Sequence, residues 1–344
     1  MRSVLRSATI LVAGLTASWA SHGAAADTAT SQTSQALVIL RHATLCDGTR
    51  GMSRSNMAVV VKGTRIKQVV RDRDLDLHFL PSARVIDLQG CFLMPGMIDA
   101  HVHLATPPNR RQAEAVLRRG IYGGVTAVRD MADDLRAVGE LSRASLVGEV
   151  AAPDIFYAAL MAGPAFFTDE RTSQTSAGGN PGYVPWMQAV TENTDLPFAV
   201  AQARGTFATA IKLFAELTPG LAARVTEEAH RQHMKVWAHA TLYPAKPSNV
   251  VAAGVDTISH ACLLIREPMA SAPGWNEPRR PIDLAAFQDG RNPALARLFA
   301  EMKERGTILD ATIWACSTDT AGSTTMPTLP QGSCDDTIGG AIAG

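Results

Sequence analysis

The chain has 344 residues, 32 basic against 32 acidic side chains and 46% hydrophobic residues, a globular composition with enough apolar material for a large core. Balanced charge and the lack of any Lys/Arg run argue against a nucleic-acid partner or an anionic membrane surface. At this length one large domain with a smaller companion is expected.

Residues 1–26 read as an export signal. Arg2 and Arg6 give a positive start, an apolar stretch runs from Ala8 to Ala20, and Ala24-Ala25-Ala26 offers a small-residue cleavage site. That stretch is shorter than the roughly 20 residues a spanning helix needs, so no membrane span is expected. The mature chain is expected to be exported, to the periplasm or beyond. The five cysteines, Cys46, Cys91, Cys262, Cys316 and Cys334, fit no zinc ribbon. Export permits disulfides, but the spacing assigns none. Residues 27–35, small and polar, read as a linker.

Residues 36–94 predict a small β-sandwich-like domain. ALVILRHATL closes at Asp47-Gly48, NMAVVVKGTRIKQVV folds about Lys62-Gly63, and ARVIDLQGCFLM ends the section. From residue 95 to 316 the rhythm becomes α/β. Apolar strand candidates MIDAHVHL, GVTAVRDM, DIFYAAL, TAIKLF, KVWAHA, DTISHACL and GTILDATIW alternate with amphipathic stretches such as RRQAEAVLRRGI and LAARVTEEAHRQH. Such alternation predicts a parallel sheet closed by helices, a (β/α)8 TIM-type barrel lacking its last strand or strands. An insertion at about 162–195, with Phe166, Phe167 and Trp186, reads as a lid or substrate loop. Residues 317–344 carry neither an apolar strand nor a helical period and read as an irregular polar tail.

His101 and His103 stand at i and i+2 in PGMIDAHVHL, on one side of a strand. They fall at the strand end, where such barrels keep their chemistry, and neutral imidazole suits zinc. Two structural histidines are the alternative. His239 and His260 end two further apolar strands. Lys212 lies 27 residues before His239, and His260 lies 21 after it, close to the length of a βα repeat, about 30 residues. The three therefore fall at equivalent heights on consecutive strands. A lysine between Ile211 and Leu213 on a buried strand needs pairing or modification, unless its ammonium reaches solvent.

PGMIDAHVHL resembles the signature of the amidohydrolase superfamily, and AIKLF…VWAHA…ISHA resembles its imidazolonepropionase-like branch, which includes metal-dependent, prolidase-like dipeptidases. The resemblance covers about residues 36–314. It implies His101 and His103 as ligands of the more buried metal, Lys212 as a carboxylated bridging ligand, and His239 and His260 as ligands of a second metal. Two zinc ions are expected, with water activated to attack an amide carbonyl. The family pattern also places an aspartate on an eighth strand. Here only Ser317-Thr318-Asp319 is similar, and it follows the last strand with no helix between, so Asp319 is the candidate catalytic carboxylate in a chain expected to be cut short.

Tyr243, just beyond His239, is a candidate to hydrogen-bond a substrate carbonyl. Asp130 is expected to pair near Arg129 or to cap the next helix, Asp310 is a further candidate, and His42, His78, His230 and His233 are expected on surfaces. The reading is hydrolysis of amide bonds in dipeptides or N-acyl amino acids. Alternatives are lactones, cyclic amides or phosphotriesters, or an impaired chain that only binds metal. A small-molecule substrate is the expected partner, and homo-oligomer formation is left open.

Overall fold

The computed structural model describes residues 37–49, 51–79, 82–277, 287 and 290–313. The chain divides into two compact units, Met1–Pro95 and Gly96–Gly344. The expected export signal and linker, Asp319 and the polar tail lie outside the described residues.

The first unit is one mixed sheet among the described residues. Its strands are β1 (Leu37–Leu45), β2 (Arg54–Lys62), β3 (Arg65–Arg71), β4 (Arg84–Asp87) and β5 (Phe92–Leu93). The order is β3-β2-β1-β4, with β5 also on β1. β2 and β3 form the hairpin expected at Lys62-Gly63, where Gly63 takes φ +57°, a conformation glycine adopts without a Cβ penalty. Leu45, Met57 and Val59 are buried together on one face.

The second unit alternates strands and helices: β6 (Met97–Val102), α1 (Arg110–Tyr122), β7 (Val125–Asp130), α2 (Leu135–Leu146), β8 (Asp154–Ala162), α3 (Glu170–Thr175), β9 (Tyr183–Val184), β10 (Met187–Ala189), α4 (Leu196–Gly205), β11 (Ala210–Leu213), α5 (Pro219–Arg231), β12 (Lys235–His239), α6 (Pro247–Ala252), β13 (Thr257–Ser259), α7 (Pro293–Arg305) and β14 (Ile308–Asp310). β6, β7, β8, β11, β12, β13 and β14 pair parallel in that order. These are the seven strands expected, and they make an α/β barrel-type sheet. Local signals agree with it. Asn109, Asp134, Asp195, Thr218 and Asn292 cap α1, α2, α4, α5 and α7 by accepting backbone N–H bonds, the service Asx and Thr side chains give at helix starts.

Side-chain alternation divides each strand between two environments. Ile211, Leu213, Val236 and Ala238 join the large core that includes Val138, Val225 and Val250 of the helices. Ala210 and Trp237 pack with Ala158 and Met131 in a separate inner cluster. The inward alternation continues from Ala210 to Lys212 and from Trp237 to His239. The sequence thus sends its polar exceptions to the inside.

The insertion is ordered. After β8, a 3-10 turn at Pro164–Thr168 leads to α3 and then to the antiparallel hairpin β9–β10. β10 pairs parallel with the carboxyl half of β8, Met187 opposite Leu160, while β7 pairs with its amino half, Ala127 opposite Asp154. Gly163 sits where a Cβ would come within 2.3 Å of the Glu216 carbonyl oxygen. Only glycine lets this turn approach the loop after β11, and a bond from the Ala165 N–H to the Glu216 carboxylate ties the two together.

Candidate metal centre

Polar side chains gather at the carboxyl ends of the barrel strands. His101 is the penultimate residue of β6, and His103 stands two residues on. His239 ends β12, and His260 directly follows β13 with φ +72°, a left-handed conformation uncommon for a residue with a Cβ. Ring centroids lie 5.6 Å apart for His101 and His103, 4.8 Å for His101 and His260, and 4.6 Å for His239 and His260. All four rings line one cavity of about 540 Å³. The structure brings the four sequence-predicted histidines together.

Lys212 lies beneath them, 0% exposed. Its Nζ donates to Ser259 Oγ at 3.3 Å, and that hydroxyl donates to Asp310 Oδ2 at 3.1 Å. The same carboxylate oxygen accepts from His101 Nδ1 at 2.8 Å and from Arg129 Nη2 at 3.4 Å. The Arg129 guanidinium also lies 4.6 Å from the centre of the Trp237 ring. Asp310 therefore ties the first barrel strand to the last described one.

A second carboxylate serves His103, which directly follows β6. Asp133, fully buried, accepts from His103 Nδ1 at 2.8 Å, from the Ala105 N–H at 2.6 Å and from the Thr106 hydroxyl. His260 Nδ1 shares a 2.8 Å hydrogen bond with Thr312 Oγ1. In three of the four rings Nδ1 is thus engaged and Nε2 is the other nitrogen. Metal-ligating histidines are held in this way, one ring nitrogen fixed by an oxygen partner and the other presented to the ion.

Burial favours the uncharged forms of Lys212, His101, His239 and His260. Burial pushes the Lys212 ammonium down to about 7, against the opposing pull of Asp310. Burial and the nearby Lys212 push His260 down to about 3 and hold His239 well below its ordinary value. His101 is lowered by burial despite its bond to Asp310. Burial alone would raise the Asp310 carboxyl, but the His101 bond and charge and the Arg129 charge hold it below its ordinary value. Neutral imidazole is the form that binds zinc. The donor chemistry fits a divalent cation. Among the described residues no three His, Cys, Asp or Glu donors already enclose a common point. The cluster is thus a donor set rather than a finished coordination sphere.

Other candidates fall differently. Asp130 neither pairs with Arg129 nor caps α2: Arg129 turns to Asp310, and Asp134 makes the cap. Instead Asp130 is fully buried, accepts the Leu104 N–H at 2.9 Å and leaves Oδ1 without a partner. Burial and Asp133 push its carboxyl well above the usual range. Tyr243 lines the cavity, and its hydroxyl accepts from Arg266 Nε at 3.1 Å. His42 and His230 pair with aspartates at exposed positions, and His78 and His233 are exposed. Cys46 and Cys91 are free, while Cys262 is disulfide-bonded. Asp133, Thr312, Phe214 and Trp275 were not singled out in the sequence; Phe166 and Tyr243, which join Phe214 and Trp275 in a wall of rings beside His239, were.

No family model matches the chain. An imidazolonepropionase from Anaeromyxobacter sp. (strain K) is 38% identical over 88 residues, 24% of this chain and 21% of that protein. The match thus spans about a fifth of the curated relative's length. Among solved structures, a prolidase complexed with N-methylphosphonate-L-proline is 24% identical with a TM-score of 0.58, covering 85% of this chain and 70% of that one. An ochratoxinase from A. niger is 19% identical with a TM-score of 0.62, covering 84% and 68%. The fold is that of the amidohydrolase barrels.

Proposed function

We propose that this chain is an exported hydrolase that cleaves amide C–N bonds of small substrates with the help of divalent metal, zinc foremost. His101, His103, Lys212, His239 and His260 would hold the metal, two ions per site with a carboxylated Lys212 between them. The observation that carries this reading is the meeting of four imidazoles from β6, β12 and β13 above a fully buried lysine in one cavity. A bound cation would polarise the substrate carbonyl and make water acidic enough to react at neutral pH. The residues of the chain do the rest. Asp310, Asp133 and Thr312 fix ring orientation. Burial favours the neutral form of His101, His239 and His260. A lysine that titrates near 7 is substantially an amine at neutral pH, the form that adds to carbon dioxide to give a carbamate and a proton. Tyr243 is the candidate to contact the substrate. The names of similar proteins, imidazolonepropionase and prolidase, support C–N bond hydrolysis.

The test is metal content and turnover on one sample, with dipeptides, N-acyl amino acids and lactones as substrates. Bound zinc with amide hydrolysis is expected, and His101→Ala should lower the zinc content. Unchanged zinc in that variant would refute the ligand assignment. A second reading, metal binding without hydrolysis, is favoured by one observation: among the described residues no carboxylate lines the cavity. Full metal occupancy with no turnover on any of the three substrate classes would select it.

A further inference from the structure

Resting on the hydrolase reading, we propose that the substrate carries an uncharged aromatic group next to its scissile amide, seated against the ring cluster of Phe166, Phe214, Trp275 and Tyr243. The cluster is contiguous. Centroids lie 4.4 Å apart for Phe166 and Phe214, 5.7 Å for Phe166 and Trp275, and 5.9 Å for Tyr243 and Trp275. It also touches the reactive end of the cavity, with Phe214 only 3.9 Å from His239, centroid to centroid. Leu160 and Met187 extend the same apolar wall. Phe166 and Tyr243 are already buried, so the ring surface open to a ligand is chiefly that of the half-buried Phe214 and Trp275; a benzyl-sized group can stack on it, whereas a small aliphatic group would leave part of it facing water. The cavity of about 540 Å³ is within the ~300–1,000 Å³ usual for small-molecule sites.

Charge gives the second half of the inference. Apart from the histidines, Arg171 is the one Asp, Glu, Lys or Arg among the described residues lining the cavity. Its guanidinium is already met by Asp169, Nη2 to Oδ2 at 2.6 Å and Nε to Oδ1 at 3.0 Å. A charged substituent placed on the ring wall would lose its hydration with no unpaired charge facing it among the described residues that line the cavity, since the buried Arg266 guanidinium is held behind Tyr243 rather than on the cavity wall, and that cost is large. The reaction itself is ordinary hydrolysis. The water oxygen bonds to the carbonyl carbon, the C–N bond breaks, and the leaving nitrogen takes a proton, giving acid and amine.

The test uses the full chain with added zinc and four simple amides: N-acetylbenzylamine and N-methyl-phenylacetamide, which place the ring on either side of the bond, N-methylacetamide, which has no ring, and N-acetyl-4-carboxybenzylamine, whose ring is charged. Both hydrolysis and calorimetric binding are read. At least one neutral aromatic amide should exceed the ringless and charged ones by about 10-fold or more in kcat/KM or affinity. Trp275→Ala should remove most of that preference and Trp275→Phe should keep it, melting curves showing that both variants fold. Hydrolysis without a preference for the neutral ring overturns the proposal and leaves the hydrolase reading standing. Selective binding of an aromatic amide with no hydrolysis of any of the four does the reverse. Neither binding nor hydrolysis sinks both.

Discussion

Asp310 is one side chain on which several others depend. It receives His101, Ser259 and Arg129 on one oxygen, and Asp133 does comparable service for His103. If these carboxylates orient ligands, Asp310→Asn and Asp133→Asn should each weaken zinc binding about 10–100-fold, measured by competition with a chromophoric chelator. Wild-type affinity in both would end the orienting role. The neutral groups beneath them govern how the metal-free chain responds to acid. His260 titrates near 3 when folded but near 6.5 when unfolded. The unfolded chain therefore binds more protons, and stability falls as pH drops from about 6.5 towards 3. Lys212, near 7 folded against 10.5 unfolded, gives the same slope between those values. Lys212→Met should consequently raise the melting temperature at pH 7 and flatten its rise towards pH 10; a lower melting temperature would mean that the buried amine stabilises the chain. The histidines were legible from their strand-end positions, and Lys212 from its apolar flanks. Asp133 was not, because adjacent aspartates in MADD look alike and only the fold shows that Asp134 caps α2 while Asp133 turns inward.

At the scale of elements, the sequence reads the long insertion as a lid or substrate loop; it lines the cavity through Phe166, Thr172 and Met187, but its internal structure was not legible. Its two-residue and three-residue strands are too short to show alternation, and they exist because β8 offers an edge. Its attachment at Gly163 is a steric condition. A Cβ there would also stand 2.6 Å from Glu216 Cβ and Cγ, and backbone cannot yield as a side-chain tip can. Gly163→Ala should cost about 1–3 kcal/mol of stability, the usual range for overpacking, and should loosen the aromatic wall, since Phe166 sits three residues on. Chemical denaturation gives the first and binding of an aromatic amide the second. An unchanged midpoint would show that the turn can move off Glu216 freely.

For the whole molecule, the barrel class, its seven described strands and the small β-unit before it were open to a reader of the sequence, because near-continuous apolar strands alternating with amphipathic helices have few other solutions. The partners across the sheet were not. That Asp310 would reach His101 depends on barrel curvature, which no local pattern encodes. Among the described residues no helix is long and apolar enough to cross a membrane. The shared strand β8 has one further consequence. The Leu160 N–H donates to the Trp186 carbonyl, and the Val190 N–H donates to the Ala162 carbonyl, so the hairpin is sheet rather than lid. Swinging it away would unzip ladder bonds of a barrel strand, a sub-global opening and not a loop fluctuation. Deuterium uptake at Leu160 and Val190 should therefore be about as slow as at β11 and unaffected by a bound amide. Fast uptake that slows on binding would instead mark the hairpin as the door through which ligands pass.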